Sequence, residues 1–160
     1  MLTRKVPMTP AGLRQLQERL KRIKGPERSA AVVALQEARS HGDLSENAEY
    51  DIAKERLSQI DHHIGDLERA LANAEVIDPR ELDHSRIVFG ATVELRDLAT
   101  EERFTYQIVG IHEADISAQK ISIESPIARA LIGKEIGDEA RVQTPKGVRE
   151  LEILRISYVE

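Results

Sequence analysis

Ala53, Leu57, Ile60, Ile64, Leu67, Leu71 and Ala74 recur at alternating spacings of four and three. That heptad seam is the strongest periodic signal in the chain, and it predicts a helix from about Ser45 to about Asn73 with one apolar edge that needs a partner. The partner is upstream. Thr9 suits an N-cap and Pro10 the first helical position, and Leu13, Leu16, Leu20 and Ile23 follow as an apolar stripe. Gly25-Pro26 interrupts that stripe, and a proline inside a helix removes a donor and clashes with the preceding turn, so a kink or short break is expected there. The stripe resumes, shifted in phase, as Ala31, Leu35 and Ala38, with Val32 and Val33 adding apolar surface. Two helices joined by a short turn form an antiparallel hairpin. Thirty helical residues extend roughly 45 Å, too long and thin for a globular core, so the hairpin reads as a projection.

The turn between the arms carries clustered carboxylates. Gly42 can end one helix, and Asp43 or Ser45 can cap the next. Asp43 and Glu46 have the spacing of a capping box, so one reading makes them only the closure of a helix N-terminus, where negative charge is also favoured by the dipole. The other reading makes them ligands. Mg²⁺ is a hard cation that takes about six oxygens and keeps several waters. Two or three exposed acids hold it weakly, so a partner must supply the remaining ligands or the phosphates. Arg39, Lys54 and Arg56 stand close to the turn, as a solvated face or as a small basic spot for a phosphate backbone. His62 and His63 are adjacent and face different directions, which favours exposed histidines over a metal site.

Composition changes after the second helix. Val76-Ile77 reads as a short strand that Asp78-Pro79 breaks, and beyond Ser85 the pattern is short strands with turn signals. Strands are expected over Ile87 to Leu95, bent at Gly90, then Phe104 to Ile111 and Lys120 to Glu124. A short helix is expected from Pro126 to Ile132, ending at Gly133. A hairpin of Ala140 to Gln143 and Val148 to Tyr158 turns at Thr144 to Gly147. The expected division is therefore 1–76 as an all-α hairpin, 77–85 as a linker, and 86–160 as a small, mainly antiparallel α+β domain. With two Phe, three Tyr and no Trp, its core must be aliphatic.

Several function classes are excluded or disfavoured. There is no cysteine, hence no disulfide framework and no thiolate metal site, which fits a reducing cytoplasm. The N-terminus lacks the apolar run of a signal peptide, and no stretch approaches a membrane span. A net charge of −5 argues against autonomous, non-specific nucleic-acid binding. The charge is uneven, however: residues 1–50 hold nine Lys/Arg against six Asp/Glu, and 51–84 hold four against nine. No nucleotide-binding loop, dinucleotide fingerprint, nucleophile elbow or zinc-protease helix is present.

The run Ala38-Arg39-Ser40-His41-Gly42-Asp43-Leu44-Ser45-Glu46-Asn47-Ala48-Glu49-Tyr50 closely resembles the hairpin tip of the bacterial transcript-cleavage factors of the GreA/GreB family. So do Val76 to Asp78, Phe89 to Val93, Tyr106 to Gly110 and Ser125 to Lys134, in order, over nearly the whole chain. Ser45 stands where some members carry a Lys, which removes a charge from the tip. The acidic balance is nearer the less basic branch of the family.

This resemblance implies an N-terminal coiled-coil hairpin and a C-terminal α+β domain with an FKBP-like fold. It implies that the C-terminal domain docks on RNA polymerase at the rim of the secondary channel, and that the hairpin enters the channel. Asp43 and Glu46 would then share a loosely held Mg²⁺ with the polymerase, and no metal would be bound tightly by the isolated protein. The protein would stimulate the polymerase's own cleavage of backtracked RNA rather than act as an enzyme. Glu49 and Tyr50 are expected to support the tip, and Arg39 and Lys54 to touch the 3′ segment of the extruded nascent RNA. Ser125, Pro126 and Ile127 are expected in docking, against the alternative that Ile127 and Leu131 merely cap the core. A cytoplasmic monomer with no membrane partner is expected. Three rivals stay open: a homologue of the same fold that inhibits polymerase, a prolyl isomerase (disfavoured by the shortage of aromatic walls), and a passive coiled-coil scaffold.

Overall fold

The structure, a computed structural model, describes residues 5–40, 47–81 and 85–158. It divides into two compact units, Arg14–Asn73 and Met1–Leu13 with Ala74–Glu160.

The helical unit follows from its apolar spacing. Thr9 caps α1 (Pro10–Arg22) as expected: its hydroxyl oxygen accepts the Gly12 N–H at 3.1 Å and its carbonyl the Leu13 N–H at 3.0 Å. At Gly25-Pro26 the α-helical pattern is interrupted, as expected, but not by loss of helix: Ile23–Glu27 forms a π-helical turn, with Arg22 and Arg28 on either side in right-handed helical conformation, and the helix continues into α2 (Arg28–Ser40). The wider turn makes room for the proline ring, whose missing N–H and steric bulk would otherwise disrupt the α-helical ladder. It also explains the phase shift. The eight-residue step from Ile23 to Ala31 does across a π turn what a seven-residue step does in an α-helix, and both side chains are buried, at 5% and 4% exposure. On α3 (Asn47–Ala72) Ile64 and Leu67 of the seam are buried together with Ala70, while Ala53, Leu57, Ile60 and Leu71 are half-buried. Ala74 has left the helix and the seam.

Ala74 instead opens a strand, β2 (Ala74–Val76), that pairs in parallel with β1 (Val6–Met8) in the register Val6↔Ala74 and Met8↔Val76. Met8 is fully buried there and its carbonyl accepts the Ile77 N–H at 2.9 Å. Through this pairing the first strand and first helical turn share a compact unit with the residues from Ala74 onward.

The remaining strands are β3 (Thr92–Asp97), β4 (Arg103–Val109), β5 (Lys120–Ser122), β6 (Glu139–Thr144) and β7 (Gly147–Ser157). They form one sheet in the order β5-β4-β3-β7-β6, antiparallel except for the β4–β5 pair. The alternating inward positions Val93, Leu95, Ile108, Val142, Leu151 and Ile153 build an aliphatic core, completed by Ala128 and Leu131 of the short helix α4 (Pro126–Leu131). Phe104 and Tyr106 pack on its margin, edge to face at 5.3 Å. The expected strand from Ile87 starts only at Thr92. Gly90 has φ +89 and the Ala91 N–H turns back to the Val88 carbonyl, so this segment is a bend, and the register irregularity falls later, between Glu94 and Leu95. The expected strand 120–124 stops at Ser122, whose hydroxyl accepts the Glu124 N–H at 3.1 Å and starts the turn into α4. The Thr144-to-Gly147 hairpin turn is as expected, closed by a 2.6 Å bond from the Thr144 hydroxyl to the Gly147 carbonyl. A helical hairpin followed by an α+β sheet domain is the fold class expected from the sequence.

Candidate functional site

Asp43 and Glu46 lie outside the described residues, as do His41, Gly42, Leu44 and Ser45. What the structure describes is the two helix ends that hold them. α2 ends at Ser40, whose hydroxyl donates to the Glu37 carbonyl at 2.8 Å, and α3 begins at Asn47. Glu49 is exposed in the first turn of α3, where the helix dipole favours negative charge. Tyr50 is half-buried beside it.

Just behind the turn, Ala34, Glu37 and Ala38 of α2 and Glu49, Ile52, Ala53 and Arg56 of α3 line an open groove of about 370 Å³. Small alanines on both arms leave this space. Ile52 is 70% exposed, the most solvent-facing large apolar residue among the described residues of the hairpin. Lys54 lines a different groove, about 480 Å³, with Leu57, Ser58, Asp61 and His62. Arg39 is exposed near the end of α2 and lines neither. The two expected RNA-contacting cations are thus both accessible but are not gathered around one cavity. His62 and His63 are exposed, and among the described residues no three or more His, Asp or Glu are grouped to hold a metal.

The expected docking residues sit at the start of α4. Ser125 is its N-cap: the hydroxyl accepts the Ala128 N–H at 3.3 Å and donates to the Ser122 carbonyl at 2.6 Å. Pro126 is exposed, Ile127 is half-buried against the core, and Leu131 is fully buried within it. Leu131 therefore serves the core, as the alternative reading had it. Beyond α4 the chain exposes Ile132 and Ile136, at 39% and 61%. Ile132 lies at the end of the helix expected from the sequence, whereas Ile136 was passed over, because a lone isoleucine in a glycine-flanked loop carries no periodicity to mark it.

The two halves correspond to two family regions. Residues 6–76 match the family described as "Transcription elongation factor, N-terminal", and residues 82–158 match "Transcription elongation factor, GreA/GreB, C-term". The chain belongs to the GreA/GreB family of transcription elongation factors. It is 54% identical to a protein of Phenylobacterium zucineum called transcription elongation factor GreA, over 97% of this chain and 99% of that one. It is 53% identical to the GreA of Neisseria meningitidis serogroup A, over 97% and 99%. Among solved structures, a GreA factor homolog of Thermus thermophilus aligns at 31% identity with a TM-score of 0.46, over 96% of this chain and 99% of that one. Among the described residues no helix is long and apolar enough to cross a membrane.

Proposed function

We propose that this protein binds RNA polymerase during elongation and stimulates the polymerase's own cleavage of backtracked nascent RNA. One observation carries the reading: α2 and α3 pack against each other as the arms of a hairpin, and the sequence that joins them includes Asp43 and Glu46. Two long helices with acids in the sequence between them suit insertion through the secondary channel toward a site whose other ligands belong to the polymerase. The α+β unit supplies the docking surface at the channel rim, through Ser125, Pro126 and Ile127.

The donor set fits Mg²⁺, since both groups are hard carboxylate oxygens, and two ligands leave room for waters and phosphate oxygens. Asp43 and Glu46 would hold the ion jointly with the polymerase. When bound, the ion stabilises the charge that develops on the phosphodiester and favours deprotonation of water. The chain's own part is to bring two carboxylates, to orient an attacking water by hydrogen bonding, and to steady them through Glu49 and Tyr50. Arg39 and Lys54 attract the extruded 3′ segment of RNA, and charge reversal at both lowers crosslinking to it. The catalytic centre belongs to the polymerase, so the isolated protein cleaves no RNA.

The test is release of short 3′ RNA fragments from a stalled, backtracked elongation complex with Mg²⁺. Wild type is compared with the double variant Asp43→Ala/Glu46→Ala. Stimulated release that the double variant loses, while still binding polymerase, supports the shared-metal reading. Slowed elongation without stimulated release identifies an inhibitor of the same fold instead.

A further inference from the structure

The carboxylate of Glu113 is the meeting point of three donors. Its Oε2 accepts the Thr9 backbone N–H at 3.0 Å and the Gly110 N–H at 2.9 Å, and its Oε1 accepts the Thr9 hydroxyl. The Thr9 hydroxyl oxygen in turn accepts the Gly12 N–H at 3.1 Å. One side chain from the loop after β4 thus closes the N-terminus of α1, whose first N–H groups have no partners inside the helix.

The backbone around it is fitted to that carboxylate. A Cβ at Gly12 would stand 2.1 Å from Glu113 Oε1, and a Cβ at Gly110 would stand 2.1 Å from the Pro7 carbonyl oxygen and 2.9 Å from Glu113 Oε2. Both glycines are buried, as is Thr9 at 4% exposure. The loop is itself closed by the Glu113 N–H donating to the Gly110 carbonyl at 3.0 Å. A residue that only decorated the surface would not be met by a close-fitting glycine on each side.

We propose that Glu113 is a positioning residue for cleavage stimulation: it locks the root of α1, the helix that leads into the arm preceding Asp43 and Glu46 in the chain. The proposal rests on the function argued above. A loosened root lets the two acids spend less time in reacting geometry, and it leaves the docking residues of α4 untouched. The expected signature is a lower maximal rate at an unchanged half-saturating concentration.

The experiment compares the full-length wild type with Glu113→Ala, Gly12→Ala and Glu113→Gln. Gly12→Ala keeps the carboxylate but displaces it, and alanine is the better helix former, so lost activity there does not come from a weakened helix. Glutamine keeps an oxygen for the two backbone donors and an amide that can donate to the Thr9 hydroxyl oxygen. Two readouts are taken: fragment release against factor concentration, and hydrogen exchange of the Thr9 and Gly110 amides. The maximal rate is expected to fall about tenfold in Glu113→Ala and Gly12→Ala, since small misplacements of reacting groups cost one to two powers of ten. Glu113→Gln is expected to keep at least half of it, and both amides to exchange faster in Glu113→Ala. An unchanged maximal rate, a loss that glutamine fails to rescue, or unchanged amide protection overturns the proposal. Absence of stimulation by wild type overturns the function reading and the positioning role with it, while the amide exchange separately reports whether the lock exists.

Discussion

Arg28 and Asp61 tie the two arms of the hairpin together: Arg28 Nε donates to the Asp61 carboxylate at 2.8 Å from the first residue of α2, directly after the π turn. The hydrogen bond from Arg28 holds the Asp61 carboxyl below its ordinary range, and the same bond raises the Arg28 guanidinium. Both side chains are close to half exposed, so the pair is screened by solvent. Asp61→Asn should lower Tm only slightly at neutral pH. The difference should shrink in 1 M salt, where the screening length is about 3 Å. A large, salt-insensitive loss would show that the pair anchors the π turn.

Acid should weaken the β3–β4 turn. Asp97 is 6% exposed, and its Oδ1 accepts the Ala99 and Thr100 N–H groups at 2.9 and 3.3 Å while Oδ2 accepts from Arg149 at 3.2 Å. The Ala99 N–H, then those of Thr100 and Arg149, hold this carboxyl below its usual value against the opposing effect of burial. A depressed carboxylate contributes stability that is present above its unfolded pKa, about 3.9, and is lost as pH falls through the folded value. Urea unfolding should therefore separate wild type from Asp97→Ala at pH 7 and bring them together well below pH 3.9. A gap that stays constant with pH would assign the effect to packing rather than charge.

Gly90 and Gly133 separate two costs of adding a methyl group. Both have positive φ, +89 and +85, but a Cβ at Gly90 would stand 2.2 Å from Pro79 Cγ, and one at Gly133 meets nothing within 4 Å. Gly133→Ala should lose about 1–2 kcal/mol, the left-handed backbone cost alone. Gly90→Ala should lose measurably more, since Pro79 is buried and part of a rigid ring. Equal losses in chemical denaturation would mean that Pro79 yields.

Leu131 and Ile136 should divide stability from docking. Leu131 is fully buried in the sheet core and Ile136 is 61% exposed. Leu131→Ala should cost about 2–5 kcal/mol in urea unfolding, and Ile136→Ala less than about 0.5 kcal/mol. If the surface beyond α4 belongs to the polymerase contact, Ile136→Ala should still weaken polymerase binding in a competition assay. Unaltered binding would confine docking to the Ser125–Ile127 side.

Much of this architecture was legible because its causes are local. The Thr9-Pro10 helix start, the seam from Leu57 to Leu67, the short helix that begins at Pro126 and the Thr144-to-Gly147 turn each rest on residues within a few positions of one another. Their chemistry acts at that range: a side chain caps a nearby N–H, a ring presets φ, and apolar residues share a face by helical period. Asp43 and Glu46 stand in the sequence between two helical patterns and lie outside the described residues.

Other features needed the folded chain. Whether Pro26 breaks a helix or is absorbed by a π turn depends on Ile23 and Ala31 both finding buried seats, which no window around the proline contains. β1 and β2 are three residues each, too short to show a period, and they meet only because the hairpin returns the chain beside its own beginning. Glu113 reads in sequence as one more loop acid. By itself the sequence determined most of the helices and the main turns and strands, because propensity, capping and periodicity are short-range. Only the tertiary structure decided which distant donors converge on which acceptor, because every buried N–H must find a partner and the packing of the whole chain selects it.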